Sequence, residues 1–478
     1  MTLATDRSPD AFLARCAETI GAERVLRADA DRAPYEVDFW RHIDGVAAAV
    51  LRPRTIEEVA ALVQLAAEHS AALVPQGGNT GLVGGGVPDD SGTQVLLSLQ
   101  RLNRVRALDA ANLTITVEAG CVLQAVQEAA AAQGLMFPLS LAAEGSCTIG
   151  GNLATNAGGT QVLRYGNARA LCLGLEVVTA EGEVWTGLTG LRQDNTGYDL
   201  RDLYIGSEGT LGVITAATMA LVPQPAAITT ALAACANVRD CVALLELARA
   251  RLGPGLTGFE MMGRFALDLV ARHFPQLPAP LPAAAWTVLL EQSDNEGQEQ
   301  ARARFEALLS EALERGLIED AVVAESLQQS QGLWHVRESI PLAQSEEGLN
   351  IKHDIALPVS ALADYVEQTD AELQQAIPGV RLVNFGHLGD GNLHYNVQAP
   401  AGADAARFLA DHEAEVNRIV YDAVQRLGGS ISAEHGVGQL KPQEIAQRKS
   451  AVEIALMRRI KAALDPQGRL NPGRVLLR

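Results

Sequence analysis

Pro75-Gln-Gly-Gly-Asn-Thr-Gly-Leu-Val-Gly-Gly-Gly-Val-Pro88 packs six glycines into fourteen residues, and the apolar run Ala71-Ala-Leu-Val74 feeds straight into it. Each glycine weakens regular structure by roughly 0.5–1 kcal/mol relative to alanine, so packing does not explain the density. Missing side chains let backbone N–H groups converge on an anion, as phosphate-binding nests do. A floppy surface loop would carry charged solvating residues, and this one has none. A dinucleotide fingerprint fails on inspection. Gly84-Gly-Gly86 runs into Val-Pro-Asp-Asp, with no helix opening and no completed G-x-G-x-x-G. A pyrophosphate held here is expected to be held without a helix dipole.

Working outward, Ala47 to Pro53 reads as a short strand, and Thr55 to His69 as an amphipathic helix that Thr55 caps with Glu58 three residues on. Strands follow at VLLSL, LTITVEAG and LCLGLEVVTAEGEVW, with a second helix near CVLQAVQEAAAAQG. Residues 1–44 form an N-terminal helical segment and 45–223 one α+β domain. After VPQPAAITTALAACAN the pattern changes. ANVRDCVALLELARAR and GQEQARARFEALLSEALERG have helical spacing, while AAWTVLLEQ and the stretch after Leu349 read as strands, giving an antiparallel sheet backed by helices over 224–425. The last segment, 426–478, carries a further motif and is expected to return to the first domain.

The composition excludes several classes. With 48% hydrophobic and 20% charged residues the 478-residue chain is globular, and its length suits two or three domains. No run approaches the roughly 20 apolar residues of a membrane span. The opening MTLATDRSPDAFLARC lacks the basic-then-apolar order of a secretory signal and reads as a cytoplasmic start. A net charge of −19 argues against a nucleic-acid binder, while leaving room for an anionic small molecule beside a few buried cations. Six cysteines without a C-x-x-C pair indicate buried thiols rather than disulfides.

Two further glycine-rich stretches share the N-terminal half, Ala143-Glu-Gly-Ser-Cys-Thr-Ile-Gly-Gly-Asn-Leu-Ala-Thr-Asn-Ala-Gly-Gly159 and Gly206-Ser-Glu-Gly-Thr-Leu-Gly-Val-Ile214. The first mixes small hydroxyl residues, Asn and Gly, a composition suited to a flat heterocycle with polar edges. Any one of the three is weak; their order and spacing together are strong. PQGGNTGLVGG, EGSCTIGGNLATNAGG and GSEGTLGVIT resemble the flavin-binding (PCMH-type) domain of the vanillyl-alcohol oxidase / p-cresol methylhydroxylase superfamily. The likeness runs over nearly the whole chain to its D-lactate, glycolate and D-2-hydroxyglutarate dehydrogenase branch.

That resemblance implies an α+β fold: a two-subdomain flavin-binding domain, then an antiparallel-sheet substrate (cap) domain, with the C-terminal segment returning to the flavin domain. It implies that Pro75, Gln76, Gly77, Gly78, Asn79, Thr80 and Gly81 wrap the pyrophosphate of FAD. Ser146, Thr148, Gly151, Asn152 and Asn156 would lie near the flavin or its diphosphate, and Ile214 would meet the adenine–ribose side through its backbone. The first loop has no histidine of the kind that tethers flavin covalently in some members, so the FAD is expected to be dissociable.

The C-terminal half carries the chemistry. Asn384-Phe-Gly-His387-Leu-Gly-Asp-Gly-Asn-Leu-His394-Tyr-Asn396 sets two histidines seven residues apart across a glycine-rich turn, and strand alternation puts His394 and Asn396 on one face. Ser432-Ala-Glu434-His435-Gly-Val-Gly438 follows. Two imidazoles and a carboxylate, His387, His394 and Glu434, make a three-ligand metal site with open positions. Zinc leads by ligand type, with manganese, iron and cobalt also compatible. The resembled branch uses His-His-Glu in these motifs. The other histidines, at 42, 69, 273, 335, 353 and 412, receive no role. His435 is the candidate general base, because imidazole titrates near the working pH. Arg337 is suited to clamp a substrate carboxylate bidentately, with Lys352 and Asn396 as further substrate contacts. Where hydroxyglutarate enzymes carry a hydroxyl residue four positions beyond that arginine, this chain has Pro341, which puts the substrate's length in doubt.

The expected activity is oxidation of a small D-2-hydroxy acid, of D-2-hydroxyglutarate or D-lactate type, by hydride transfer to FAD. An FAD subunit of a glycolate oxidase-type complex stands beside it, and a metal-dependent hydrolase is the rival from another class. No iron–sulfur or haem motif is visible, so an external acceptor is expected: an electron-transfer flavoprotein, a quinone or a cytochrome. A homodimer is the assembly considered.

Overall fold

A computed structural model describes residues 8–477 except 280, 282 and 283. The chain divides into two compact units, one of residues 1–158, 167–224 and 434–478, the other of 159–166 and 225–433. No helix among the described residues is long and apolar enough to cross a membrane.

The first unit contains two sheets. In the smaller, Ala49–Leu51, Val95–Ser98 and Leu73–Gln76 run parallel, with Val25–Leu26 added antiparallel at the edge. Parallel neighbours need a crossover, and helix Ile56–His69 supplies it. Its N-cap is Thr55, as the sequence indicates, accepting the Glu58 N–H at 3.3 Å. The second half of that capping box differs. The Glu58 carboxylate accepts from Arg54 N–H and the Arg24 guanidinium instead, because an arginine from the preceding strand region reaches it. Val59, Leu62, Val63 and Ala66 on this helix meet Phe12, Leu13 and Cys16 of helix Pro9–Ile20 in one core. The larger sheet is antiparallel, ordered Val105–Asp109, Thr114–Glu118, Val213–Ala220, Cys172–Val178, Val184–Gly187; its middle strand is buried along its whole length. The C-terminal segment belongs to this unit. Leu73 N–H donates to Arg469 O, and Asn471 N–H to Leu73 O.

The second unit is one antiparallel sheet in the order Asp320–Val323, Ala227–Cys235, Trp286–Asp294, Leu256–Gly263, Arg381–Gly386, Asn392–Gln398, Asn350–Ile351, with Asp354–Ala356 also pairing on Asn392–Gln398. One of its faces packs Leu232, Leu289, Met262 and Phe385 against helices Arg264–His273, Leu327–Glu338 and Ile340–Glu347. Helices Val238–Leu252 and Gln298–Glu314 stand where their apolar spacing places them. The short helix Val162–Tyr165 lies with this unit, where Arg164 Nη1 donates to Ser293 O at 3.1 Å.

Candidate functional site

In the first unit the sequence motifs converge. Strand Leu73–Gln76 ends at Gly77 and Gly78, and neither tolerates a side chain. A Cβ on Gly77 would sit 2.4 Å from Thr148 Oγ1, and one on Gly78 would sit 2.1 Å from Ser146 O. Gly81 faces open space. Asn79 adopts left-handed backbone (φ 56°) and anchors the turn by donating to Val37 O; Gln76 donates to Tyr35 O and Gly86 O. Thr148 caps helix Ile149–Ala154, so the first turn of a short helix stands beside Gly77, with the Gly151 nitrogen 3.5 Å from that hypothetical Cβ. The helix terminus nearest the turn belongs to the second motif, and none opens in the residues after Gly86.

Thr148 Oγ1 is buried without a partner among the described residues. An orphaned hydroxyl beside a cradle that any side chain would fill fits the phosphates of a dinucleotide such as FAD. Asn152 is buried and reaches Cys147 Sγ at 3.7 Å, while Asn156 Oδ1 accepts the Arg169 N–H. Pro75 packs its ring against Gly209 of the third motif, and Ile214 lies buried on the central strand of the antiparallel sheet.

The Glu434–Gly438 loop is fastened to these same elements. Gly438 presses on Val83, where a Cβ would stand 2.0 Å from the carbonyl oxygen, and Gln439 donates to Gly84 O and Val87 O. Glu208, from the third motif, accepts Val437 N–H at 2.7 Å and Gly438 N–H at 2.8 Å on its two oxygens. Burial pushes the Glu208 carboxyl upward, and the two N–H bonds work against that rise. His435 Nε2 stands 3.7 Å from Glu434 Oε1, both side chains partly exposed. The proposed base is therefore mounted on the glycine cradle itself.

In the second unit, strand Leu256–Gly263 carries Glu260 onto the face shared with its cross-strand partner Leu289. Glu260 is 1% exposed. Its Oε2 accepts from Arg337 Nε at 2.7 Å and its Oε1 meets His387 Nδ1 at 2.6 Å. Burial alone would raise the carboxyl, but His387 and Arg337 together hold it down to about 2. Arg337 is buried in the last turn of helix Leu327–Glu338, its guanidinium 4.9 Å over the Phe385 ring. Its Nη1 and Nη2 have no hydrogen bond to any described residue.

His387 opens the turn after strand Arg381–Gly386, and Arg249 Nη2 braces that turn through Gly389 O. His394 pairs in register with Asp354 and Phe385, its Nδ1 3.9 Å from Asp354 Oδ1. The His387 and His394 rings lie 5.8 Å apart, nearly perpendicular. With metal–nitrogen bonds of about 2.1 Å, two imidazoles on one tetrahedral ion have centres roughly 5 Å apart, so this pair stands somewhat wider than a shared ion would hold it. Asp354 with His394, and Glu434 with His435, are each carboxylate–imidazole pairs of the type that ligates divalent metals; of the expected ligands His394 and Glu434 are among these residues and His387 is not. Asn396 is buried, accepting His353 N–H and donating to Gln344 Oε1. Lys352 is exposed, between two short strands. Pro341 occupies the first turn of helix Ile340–Glu347, where the missing N–H costs nothing. Sequence reasoning passed over Glu260, Asp354 and Glu208. A lone charge inside the buried strand LTGFEMMG was the available signal for the first.

A glycine cradle for a dinucleotide, joined in one chain to an antiparallel-sheet unit that buries an arginine beside two facing imidazoles, defines a flavin-dependent oxidoreductase. Residues 47–187 match the FAD binding domain and residues 224–475 the C-terminal domain of FAD linked oxidases, and the chain belongs to this FAD-linked oxidase family. It is 39% identical over 459 residues to the D-2-hydroxyglutarate dehydrogenase, mitochondrial, of Bos taurus, covering 96% of this chain and 82% of that one. To the D-2-hydroxyglutarate dehydrogenase of Xanthomonas citri pv. viticola it is 40% identical, covering 96% and 95%. Among solved structures, p-cresol methylhydroxylase with substrate bound superposes with a TM-score of 0.78 at 17% identity, over 98% of this chain and 96% of that one, a likeness of fold. The hydrolase alternative is left without support.

Proposed function

We propose that the protein is a FAD-dependent dehydrogenase that oxidises a D-2-hydroxy acid of the D-2-hydroxyglutarate type to the 2-oxo acid. The observation that carries this is buried Arg337, whose Nη groups have no hydrogen-bond partner among the described residues and whose Nε is fixed by Glu260, in a chain about 40% identical to enzymes named for that substrate. A buried guanidinium with an unused fork calls for a planar anion, and a carboxylate is the natural one. Lys352 and Asn396 are the further expected contacts.

Residues 45–223 bind FAD, 224–425 bind the substrate and 426–478 complete the active site. Pro75 to Gly81, Ser146, Thr148, Gly151, Asn152, Asn156 and Ile214 would hold the FAD, which supplies the acceptor for the two electrons. His387, His394 and Glu434 would hold a divalent ion, zinc by ligand type, whose contribution is to lower the pKa of the substrate hydroxyl. Arg337 orients the acid so that its C2–H is presented for transfer, and His435 takes the hydroxyl proton on a ring nitrogen. The electrons leave to an external carrier: an electron-transfer flavoprotein, a quinone or a cytochrome. Six free, buried cysteines support a reducing compartment such as the cytoplasm.

We also infer a homodimer. Val452, Leu456 and Ile460 form an exposed aliphatic stripe at i, i+4, i+8 on helix Ala451–Leu464. Glu453 and Arg459 lie three residues either side of Leu456, so two copies of this helix packed antiparallel would each set Glu453 against the other's Arg459. The catalytic reading is tested by anaerobic mixing with D- and L-2-hydroxyglutarate and D-lactate. Bleaching of the oxidised-flavin absorbance by a D acid alone is the expected result, and His435→Ala should abolish it with FAD still bound. Unchanged reduction in that variant would remove His435 from the mechanism.

A further inference from the structure

We propose that Glu260 is a positioning residue shared by the two chemistries of the pocket, setting the tautomer of His387 for metal binding and the attitude of Arg337 for the substrate carboxylate. The inference rests on the function proposed above and adds to it a physical link between two of its parts.

A carboxylate offers two oxygens, and here each has one partner: Arg337 Nε at 2.7 Å and His387 Nδ1 at 2.6 Å. An ionised carboxylate only accepts, so His387 must carry its proton on Nδ1, and the ligating nitrogen must be Nε2. A carboxylate behind a histidine fixes both ring orientation and ligand basicity, and losing such a partner typically weakens metal binding by about 10–100-fold. The same carboxylate, pinned in the middle of a sheet strand, holds Arg337 by Nε and leaves its two-nitrogen fork directed elsewhere. One side chain 1% exposed thus aligns the metal ligand with the anion clamp. Stability does not require this arrangement, since a buried ion pair is often no better than well-packed apolar groups.

Glu260→Gln makes the role visible, because the shape is kept and one acceptor becomes a donor. Arginine is always a donor, so the amide oxygen must face Arg337. The amide N–H is then forced onto His387 Nδ1, which moves the ring proton to Nε2 and blocks ligation. The expected result is zinc affinity, measured by competition with a chromophoric chelator, lowered about 10–100-fold. Full FAD content and a KM for the hydroxy acid raised more than kcat is lowered should accompany it. Zinc affinity equal to that of the unaltered protein would overturn the proposal. A second measurement needs no variant. Long-range proton–nitrogen spectra of the metal-free protein labelled in histidine should show His387 as the Nδ1–H tautomer, and an Nε2–H tautomer would sink the idea whether or not Glu260→Gln folds. The two failures are separable. If the unaltered protein binds no metal at all, the proposed ligand set is wrong while the tautomer result still decides the role of Glu260.

Discussion

Arg337 shows what burial demands of a charged side chain. Its Nε is committed to Glu260 and its guanidinium lies over the Phe385 ring, so the remaining fork is oriented for a planar anion. Lysine keeps the charge and loses the fork. Arg337→Lys should therefore weaken substrate binding by about 1.5–3 kcal/mol, the scale of hydrogen bonds to charged groups, raising KM roughly ten- to a hundredfold with FAD unaffected. Steady-state kinetics with D-2-hydroxyglutarate decide this, and an unchanged KM would move the carboxylate site elsewhere. Asp370 makes a different point. Burial lifts its carboxyl from 3.8 to about 6, against the hydrogen bonds it accepts from Tyr395 and Asn384; Tyr365 is the other titratable group facing it. The folded state then binds the proton more tightly than the unfolded chain, so this group's contribution to stability falls as pH rises from about 4 through about 6 and stays level above. Asp370→Asn should remove that loss, on the order of 3 kcal/mol, making the variant relatively more stable at neutral than at acid pH. Urea unfolding of both proteins across that range gives the comparison, and parallel curves would show that Asp370 titrates normally.

At the scale of elements, what the sequence reveals is local order and what it hides is long-range partnership. Helix Ile56–His69 was legible because its cap and its apolar face are written within fifteen residues. The stretch LCLGLEVVTAEGEVW was legible as extended chain but not as the hairpin it forms, Cys172–Val178 paired with Val184–Gly187, because the first strand is buried almost throughout and does not alternate. The glycine motifs announced themselves by density. Glu260 did not, because its meaning lies in a histidine 127 residues away. Glu208 was hidden likewise inside a glycine motif, though its carboxylate holds backbone 229 residues further on. Asp354 sits on a three-residue strand too short for a periodic signal. Helix Ala451–Leu464 was read only as part of a returning segment, yet its properties are distinctive: a closed capping box and no buried residue. Lys461 ties the helix to Thr210 O and Leu470 O, and the aliphatic stripe on its exposed side is costly to leave in water. Leu456→Asp should convert the proposed dimer to monomer without loss of FAD or activity, as read by light scattering on a sizing column. A monomeric unaltered protein would dispose of this interface outright.

At the scale of the whole molecule, the two units divide the labour of folding unequally with respect to the cofactor. The first unit threads three separated stretches of chain, 1–158, 167–224 and 434–478, and its glycine turn presses on the second motif at Gly77 and Gly78 while leaving Gly81 open. Among the described residues a Cβ on Gly81 would meet nothing within 4 Å, and the Thr148 hydroxyl is buried without a partner. Asn79 and Gln76 anchor the turn to Val37 O, Tyr35 O and Gly86 O, and a bound dinucleotide would add to that cohesion. The first loop contains no histidine to tether a flavin, and the dissociable FAD proposed on that ground would bind in an equilibrium linked to folding. A ligand that binds only the native state stabilises it by RT ln(1 + [L]/Kd), about 2.7 kcal/mol at a hundredfold excess over Kd. Mild acid or chaotrope should therefore release FAD into the supernatant. The stripped protein should melt several degrees lower, and its midpoint should climb with the logarithm of added FAD rather than saturate at one equivalent. Thr148→Val, which keeps the volume and removes the orphaned hydroxyl, should shift that titration to higher FAD while leaving the midpoint of the stripped protein in place. A flavin that stays with the denatured chain would show a covalent link and refute dissociable binding, and a stripped protein of undiminished stability would show that the cradle is rigid without its cofactor.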